Sequence, residues 1–222
     1  MDRTYLPVLK QLLSGADKAE IKQLMQEFQD IVGVIILLAT PPSVNALANL
    51  INKPKNKVHS RLEGFYSVLN VPENNDLPVR ILHLSFRDYL LKTEESSFRV
   101  SQEKTHKKIA SHCLCVMNDR LKRNICSLPN YGSLRDDIDS HIIQQHLTVD
   151  LAYSCQYWVH HLEQSRCPIS RFPILHFLRT HFLHWLEALS LMGIIFEAVG
   201  MIDMLQTWTA VSPSTALNNS KY

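Results

Sequence analysis

Apolar residues at Ile21, Leu24, Met25, Phe28, Ile31, Val32, Ile35, Leu38 and Ala39 fall at steps of three and four, which predicts one long helix with a single buried stripe. Thr40, Pro41 and Pro42 end it. Ser43 is placed to cap a second, short helix with the stripe Val44, Leu47, Ala48 and Ile51. Asn52 or Lys53, with Pro54 in the first turn, opens a third through Val58, Leu62 and Phe65. Two short β-rich runs follow, 67–71 and 79–84, joined by a polar turn over 72–78. Three helices and a hairpin make a winged-helix outline. Ser85 then stands where it would cap another short helix, with Phe86, Tyr89 and Leu90 on one face, and the polar segment 93–97 marks a boundary.

Beyond the boundary the pattern predicts a succession of amphipathic helices over 102–121, 151–164, 174–182, 185–192 and 194–208, with no strand signal between them. Stacked helical pairs without a closed bundle, a short superhelical arm, fit this succession. The expected fold class is mainly α: a winged-helix domain with a small β-hairpin, followed by an α-helical superhelical linker. In sequence order this gives a lead-in over 1–16, the winged helix over 17–96, the arm over 97–210 and a polar, disordered tail over 211–222.

Composition sharpens the picture. Of 222 residues 45% are apolar, enough for a real core, and only six are glycine, as a helical chain requires; the ten prolines then punctuate helices. A net charge of +2 supplies no global field for nucleic acid or acidic lipid. The five cysteines, Cys113, Cys115, Cys126, Cys155 and Cys167, are odd in number and lack small-domain spacing, which points to reduced thiols and a cytoplasmic setting. The longest uncharged apolar stretches, 31–39 and 188–196, are about half of the roughly 20 residues a membrane span needs, and the first ten residues lack a signal-peptide layout.

The chemistry-bearing motifs are mostly missing. No glycine is followed by Lys and then Ser or Thr, and neither GxGxxG nor GxSxG occurs, so the chain is expected not to be an enzyme. Eleven histidines raise a metal hypothesis at His160, His161, His176, His181 and His184, but adjacent histidines on a helix diverge by about 100°, and HExxH and CxxC are absent. No metal is expected. No spacing selects one Cys–His pair as a nucleophile. Lys53, Lys55, Lys57 and Arg61 place four cations on the third helix, the reading helix of a DNA-binding winged helix, which gives a stand-alone DNA binder as the alternative function. The acids Glu73 and Asp76 in the wing argue against nucleic acid.

The run Leu82-His83-Leu84-Ser85-Phe86-Arg87-Asp88-Tyr89-Leu90-Leu91 resembles the HLSFxxFL element that closes the winged helix of NACHT and related STAND nucleotide-switch proteins. Further blocks at 33–39, 122–126, 153–162 and 184–193 are similar, in order, to the fungal NACHT family that includes heterokaryon-incompatibility proteins with WD-repeat propellers. The resemblance covers about residues 30–205 and takes in only the winged helix and linker, without the NTPase and repeat parts. It implies a non-enzymatic module that couples nucleotide state to oligomerisation, with a NACHT NTPase domain and a repeat array as partners in cis or trans and a homo-oligomer as a further possibility. It implies no cofactor for the isolated chain, ADP or ATP belonging to the NACHT domain, and no membrane. His83 matches the histidine that, in related STAND proteins, reaches toward the ADP β-phosphate; alternatively it fixes the strand-to-helix corner. Arg87 and Asp88 are expected to tether neighbouring segments.

Overall fold

The computed structural model describes residues 2–11, 13, 15–94, 97–129, 132–166 and 171–210. The polar tail of the sequence reading lies outside them, as does Cys167. The fold is mainly helical with one two-stranded antiparallel sheet. Helix α1 (Asp2–Gln11) precedes α2 (Lys18–Ile35), α3 (Val44–Leu50) and α4 (Lys55–Glu63); strands β1 (Leu69–Asn70) and β2 (Arg80–Ile81) then lead into α5 (Leu84–Lys92). The remainder contains α6 (Gln102–Arg120), α7 (Ser140–His146), α8 (Val149–Gln164), α9 (Arg171–Leu191) and α10 (Glu197–Ala210).

Local chemistry sets several of these boundaries. Asp17 begins α2 with a capping box: its carboxylate accepts from the backbone of Ala19 and Glu20, and Glu20 reaches back to the Asp17 amide. Ser43 caps α3 through the Ala46 amide. The α3–α4 turn is a Schellman motif, with Lys53 N–H donating to Ala48 O, Asn52 N–H donating to Asn49 O, and Asn52 at φ 50°. Helix α9 ends the same way, but with Gly193 at φ 77° where a side chain would be strained.

Several details differ from the sequence pattern, among them α7, which lies where that pattern predicts no helix, and the end of α2 at Ile35. The lead-in contains a helix, because Tyr5 and Leu9 are buried and Tyr5 packs on Phe86 and Tyr89 of α5. Residues 174–192, expected as two helices, are nearly all in the single helix α9; Leu183 and His184 between the two stripes carry no helix-breaking chemistry. Helix α5 starts one residue after His83 rather than at Ser85, whose hydroxyl bonds the Tyr5 phenol instead, at 2.8 Å.

Buried residues from Tyr5 to Leu205 form one continuous core. Helices α6 and α8 make the most extensive helix pairing, and α3 packs on both. Phe98 meets Phe28 edge-on, so the segment after α5 returns to the first helices before α6 begins. Trp158, Phe177 and Trp185 fill the centre of the C-terminal helices, with the Trp185 indole donating to Cys155 O at 2.9 Å.

Candidate functional site

Two short elements pin the hairpin corner that carries His83. Strand β2 pairs with β1 in the register Leu69 to Ile81, and Val79 N–H donates to Pro42 O, so the second strand is held against the entry to α3. Phe86, Tyr89 and Leu90 anchor α5 in the core. His83 sits between these anchors in extended conformation (φ −135°, ψ 123°), exposed, with Phe86 N–H donating to its carbonyl and no capping bond from its ring. Leu82 and Leu84 on either side are 48% and 76% exposed, so the corner presents an imidazole between two uncovered leucines. The His83 ring faces solvent.

The basic helix is spent inside the molecule. Glu27 of α2 is buried and receives Lys57 at 2.7 Å, the Arg61 guanidinium, and the Gln23 amide at 3.1 Å. Burial alone would push its carboxyl up, but Lys57, Gln23 and Arg61 outweigh that and hold it at about 2. Asp30, one turn on, takes Lys53 at 3.7 Å and Lys108 of α6 at 2.5 Å. Three of the four cations expected to face DNA thus face carboxylates, and Lys55 stays exposed. Asp76 in the hairpin loop accepts from the Asn45 amide at 2.7 Å, which folds that loop back on α3.

The histidines separate by burial. His161 of α8 is completely buried and His106 of α6 nearly so, while His160 is exposed. The two buried rings meet Nδ1 to Nδ1 at 2.7 Å, and Tyr153 Oη lies 2.7 Å from His161 Nε2. Ala39 N–H donates to the same phenol oxygen at 3.0 Å. The phenol oxygen accepts from the amide and can still donate to or accept from His161 Nε2; the Nδ1–Nδ1 contact holds one proton, so the two neutral rings carry opposite tautomers. Burial, with the neighbouring positive groups, holds both imidazoles well below the ordinary histidine range. His181 and His184 approach at 3.2 Å, yet no group of three metal-ligating side chains converges among the described residues.

Other polar groups work as fasteners. Asp150, buried at the start of α8, accepts from Arg120 at 2.5 Å, from Thr148 at 2.9 Å and from Asn49 of α3 at 3.4 Å. Glu187 of α9 accepts the backbone N–H groups of Asn124 and Ile125, both at 3.0 Å. Cys113 and Cys155 are buried thiols pushed up to about 12 by desolvation, and are therefore protonated and poor nucleophiles. Neither Arg87 nor Asp88 forms an ion pair among the described residues; Arg87 lines an open cleft instead. Glu27, Asp150, Glu187 and the buried imidazole pair escaped the sequence reading, because a charged residue beside an apolar stripe reads first as solvated.

No protein-family model matches the chain, and no solved structure matches it. Its sequence is 26% identical over 233 aligned positions to the vegetative incompatibility protein HET-E-1 of Podospora anserina, an alignment that takes in 93% of this chain and 16% of that protein. The chain therefore spans a small part of the length of the curated relative it matches. The similarity supports kinship with a HET-E-like protein. Among the described residues no helix is long and apolar enough to cross a membrane.

Proposed function

We propose that this chain is the winged-helix and helical-arm part of a NACHT-type signalling switch of the fungal incompatibility kind, a non-enzymatic cytoplasmic module that couples the nucleotide state of an NTPase domain to oligomerisation. The observation that carries this reading is the His83 corner: an exposed, unengaged imidazole flanked by two exposed leucines on a rigidly anchored hairpin and helix. In the resting state Leu82 and Leu84 pack on the NTPase domain and His83 donates to its bound nucleotide. Release of that contact frees the module, and α9 and α10, with Phe172, Leu183, Phe196 and Val199 largely exposed, face the repeat array. The DNA-binding alternative is weakened by the engagement of Lys53, Lys57 and Arg61 with Asp30 and Glu27.

The test is co-elution of the full chain with the ADP-loaded NTPase segment of a fungal NACHT protein. Complex formation that is lost in Leu84→Asp and loosened in His83→Ala supports the reading. The isolated chain is expected to hydrolyse no ATP and to show no ADP-dependent shift in melting temperature, since one exposed donor supplies little binding energy. Stabilisation of the isolated chain by ADP, or co-elution indifferent to both substitutions, contradicts it.

A further inference from the structure

Between the end of α2, strand β2, α5, α6 and α8 lies an open cleft of about 650 Å³, within the size range of small-molecule sites. Its apolar lining comprises residues 35–38 with Val79, Ile81 and Leu84. Its polar lining comprises Arg80, Arg87, Gln102, His106, His160 and Gln164. No carboxylate is among the lining residues. Elsewhere the molecule pairs cations with carboxylates, Lys57 and Arg61 with Glu27, Lys53 and Lys108 with Asp30, Arg120 with Asp150, whereas Arg80 and Arg87 are exposed. Arg80 and Arg87 have no ion pair among the described residues.

His106 lines the cleft with its Nδ1 engaged by His161, which leaves Nε2 as its remaining ring nitrogen. Arg80 and Arg87 bring two positive charges to the cleft, and no carboxylate among the lining residues offsets them. Guanidinium forks beside side-chain amides match the oxygens of a carboxylate or phosphate, and the aliphatic lining matches an apolar body of a few carbons.

We propose that this cleft is a binding site for a small organic anion, a carboxylate or phosphate carried on an aryl or alkyl group, with Arg80 and Arg87 as its counter-charges. His83 is not among the lining residues, and the assignment does not rest on the switch reading above.

The experiment is isothermal titration of the full chain at constant ionic strength with four probes: phenyl phosphate, phenylacetate, inorganic phosphate and benzyl alcohol. Saturable binding of phenyl phosphate or phenylacetate is expected with Kd of about 1 mM or tighter, weakened about tenfold by Arg87→Gln and by Arg80→Gln, while Lys55→Gln on remote α4 leaves it unchanged. The tighter of the two aryl anions names the acid group. Circular dichroism and melting of each unliganded variant separate lost binding from lost folding; if Arg87→Gln does not fold, Arg87→Lys and Arg80→Gln carry the comparison. No saturation by either aryl anion at about 10 mM overturns the proposal, as does equal binding by benzyl alcohol or by the arginine variants. Inorganic phosphate binding as tightly as phenyl phosphate overturns it too, because the apolar wall would then contribute nothing.

Discussion

Glu27 decides what the most basic helix of the chain can do. With its carboxylate buried under Lys57, Arg61 and Gln23, the surface that the sequence pattern offered to a duplex becomes an internal joint between α2 and α4. Glu27→Gln is expected to lower stability by about 1–3 kcal/mol in urea titration, since two cations lose their counter-charge in a partly desolvated place. Its carboxyl is held at about 2 when folded against about 4.3 for a free glutamate, so its contribution is present above the higher value and is lost as pH falls through the lower. The buried imidazoles act in a different window. Their folded pKa values, about 4 for His106 and about 3 for His161, lie below the free value of about 6.5, so the unfolded chain binds protons that the folded chain refuses. The charged groups acting on the pair are His160 and, for His106, Arg87. Stability is thus full above about pH 6.5 and declines as pH falls toward 4, by up to about 2.7 kcal/mol per unit for two sites. Urea midpoints between pH 7.5 and 5 check this, and the double variant His106→Gln, His161→Gln should flatten the slope. The residue scale was the least legible in sequence: periodicity could place Glu27, Asp150 and His161 on helices but not say which neighbours arrive from 30 or more residues away.

Elements were more legible where their ends carry their own chemistry. Ser43 at the start of α3, Asn52 and Pro54 at the α3–α4 turn and Gly193 after α9 are terminators whose conformational preferences are local, and the structure places helix ends at or beside each. The hairpin was legible too, as two apolar runs around the loop containing Asn74, Asn75 and Asp76, although its ladder is only two residues per strand. Helix α1 was not, because Tyr5 and Leu9 form too short a stripe until α5 supplies its other side. The 122–126 block folds as a turn, with Asn124 at φ 50°. Glu187 of α9 clamps it through two backbone N–H groups, and the Asn124 side chain closes it on Leu128 in both directions. Glu187→Ala is expected to cost about 2 kcal/mol and to speed amide exchange at residues 124 and 125 selectively, while Glu187→Gln, with one acceptor left, loses less. Equal exchange in both variants and the parent chain would refute the clamp.

At the scale of the molecule, the blocks that were separate in sequence meet in space. Ala39 of the 33–39 block bonds Tyr153 of the 153–162 block, and Trp185 of the 184–193 block bonds Cys155. The first helices and the arm share one core rather than two, with Asn49 reaching Asp150 and Asp30 reaching Lys108 across the expected boundary. Heat should therefore unfold residues 2–210 in one transition, with calorimetric and van't Hoff enthalpies in agreement. Leu62→Ala near the front and Leu189→Ala near the back should each move that same transition, by about 2–5 kcal/mol. Two separable transitions, each answering to one substitution, would show independent units. Sequence alone missed this sharing because helical periodicity reports which face is buried and not what buries it.

The single proton in the His106–His161 contact reaches further than stability. Two identical side chains, His106 and His161, are compelled into opposite tautomers, one bearing hydrogen on Nε2 and the other on Nδ1, because the contact between them holds one proton. A third proton fits on the free Nε2 of the donating ring and leaves the contact intact; a fourth would set two N–H groups head to head at 2.7 Å, so one ring must then swing out. The backbone just after α2 would feel that swing through a single phenol, a tether running from acid in the arm to the doorway of the hairpin.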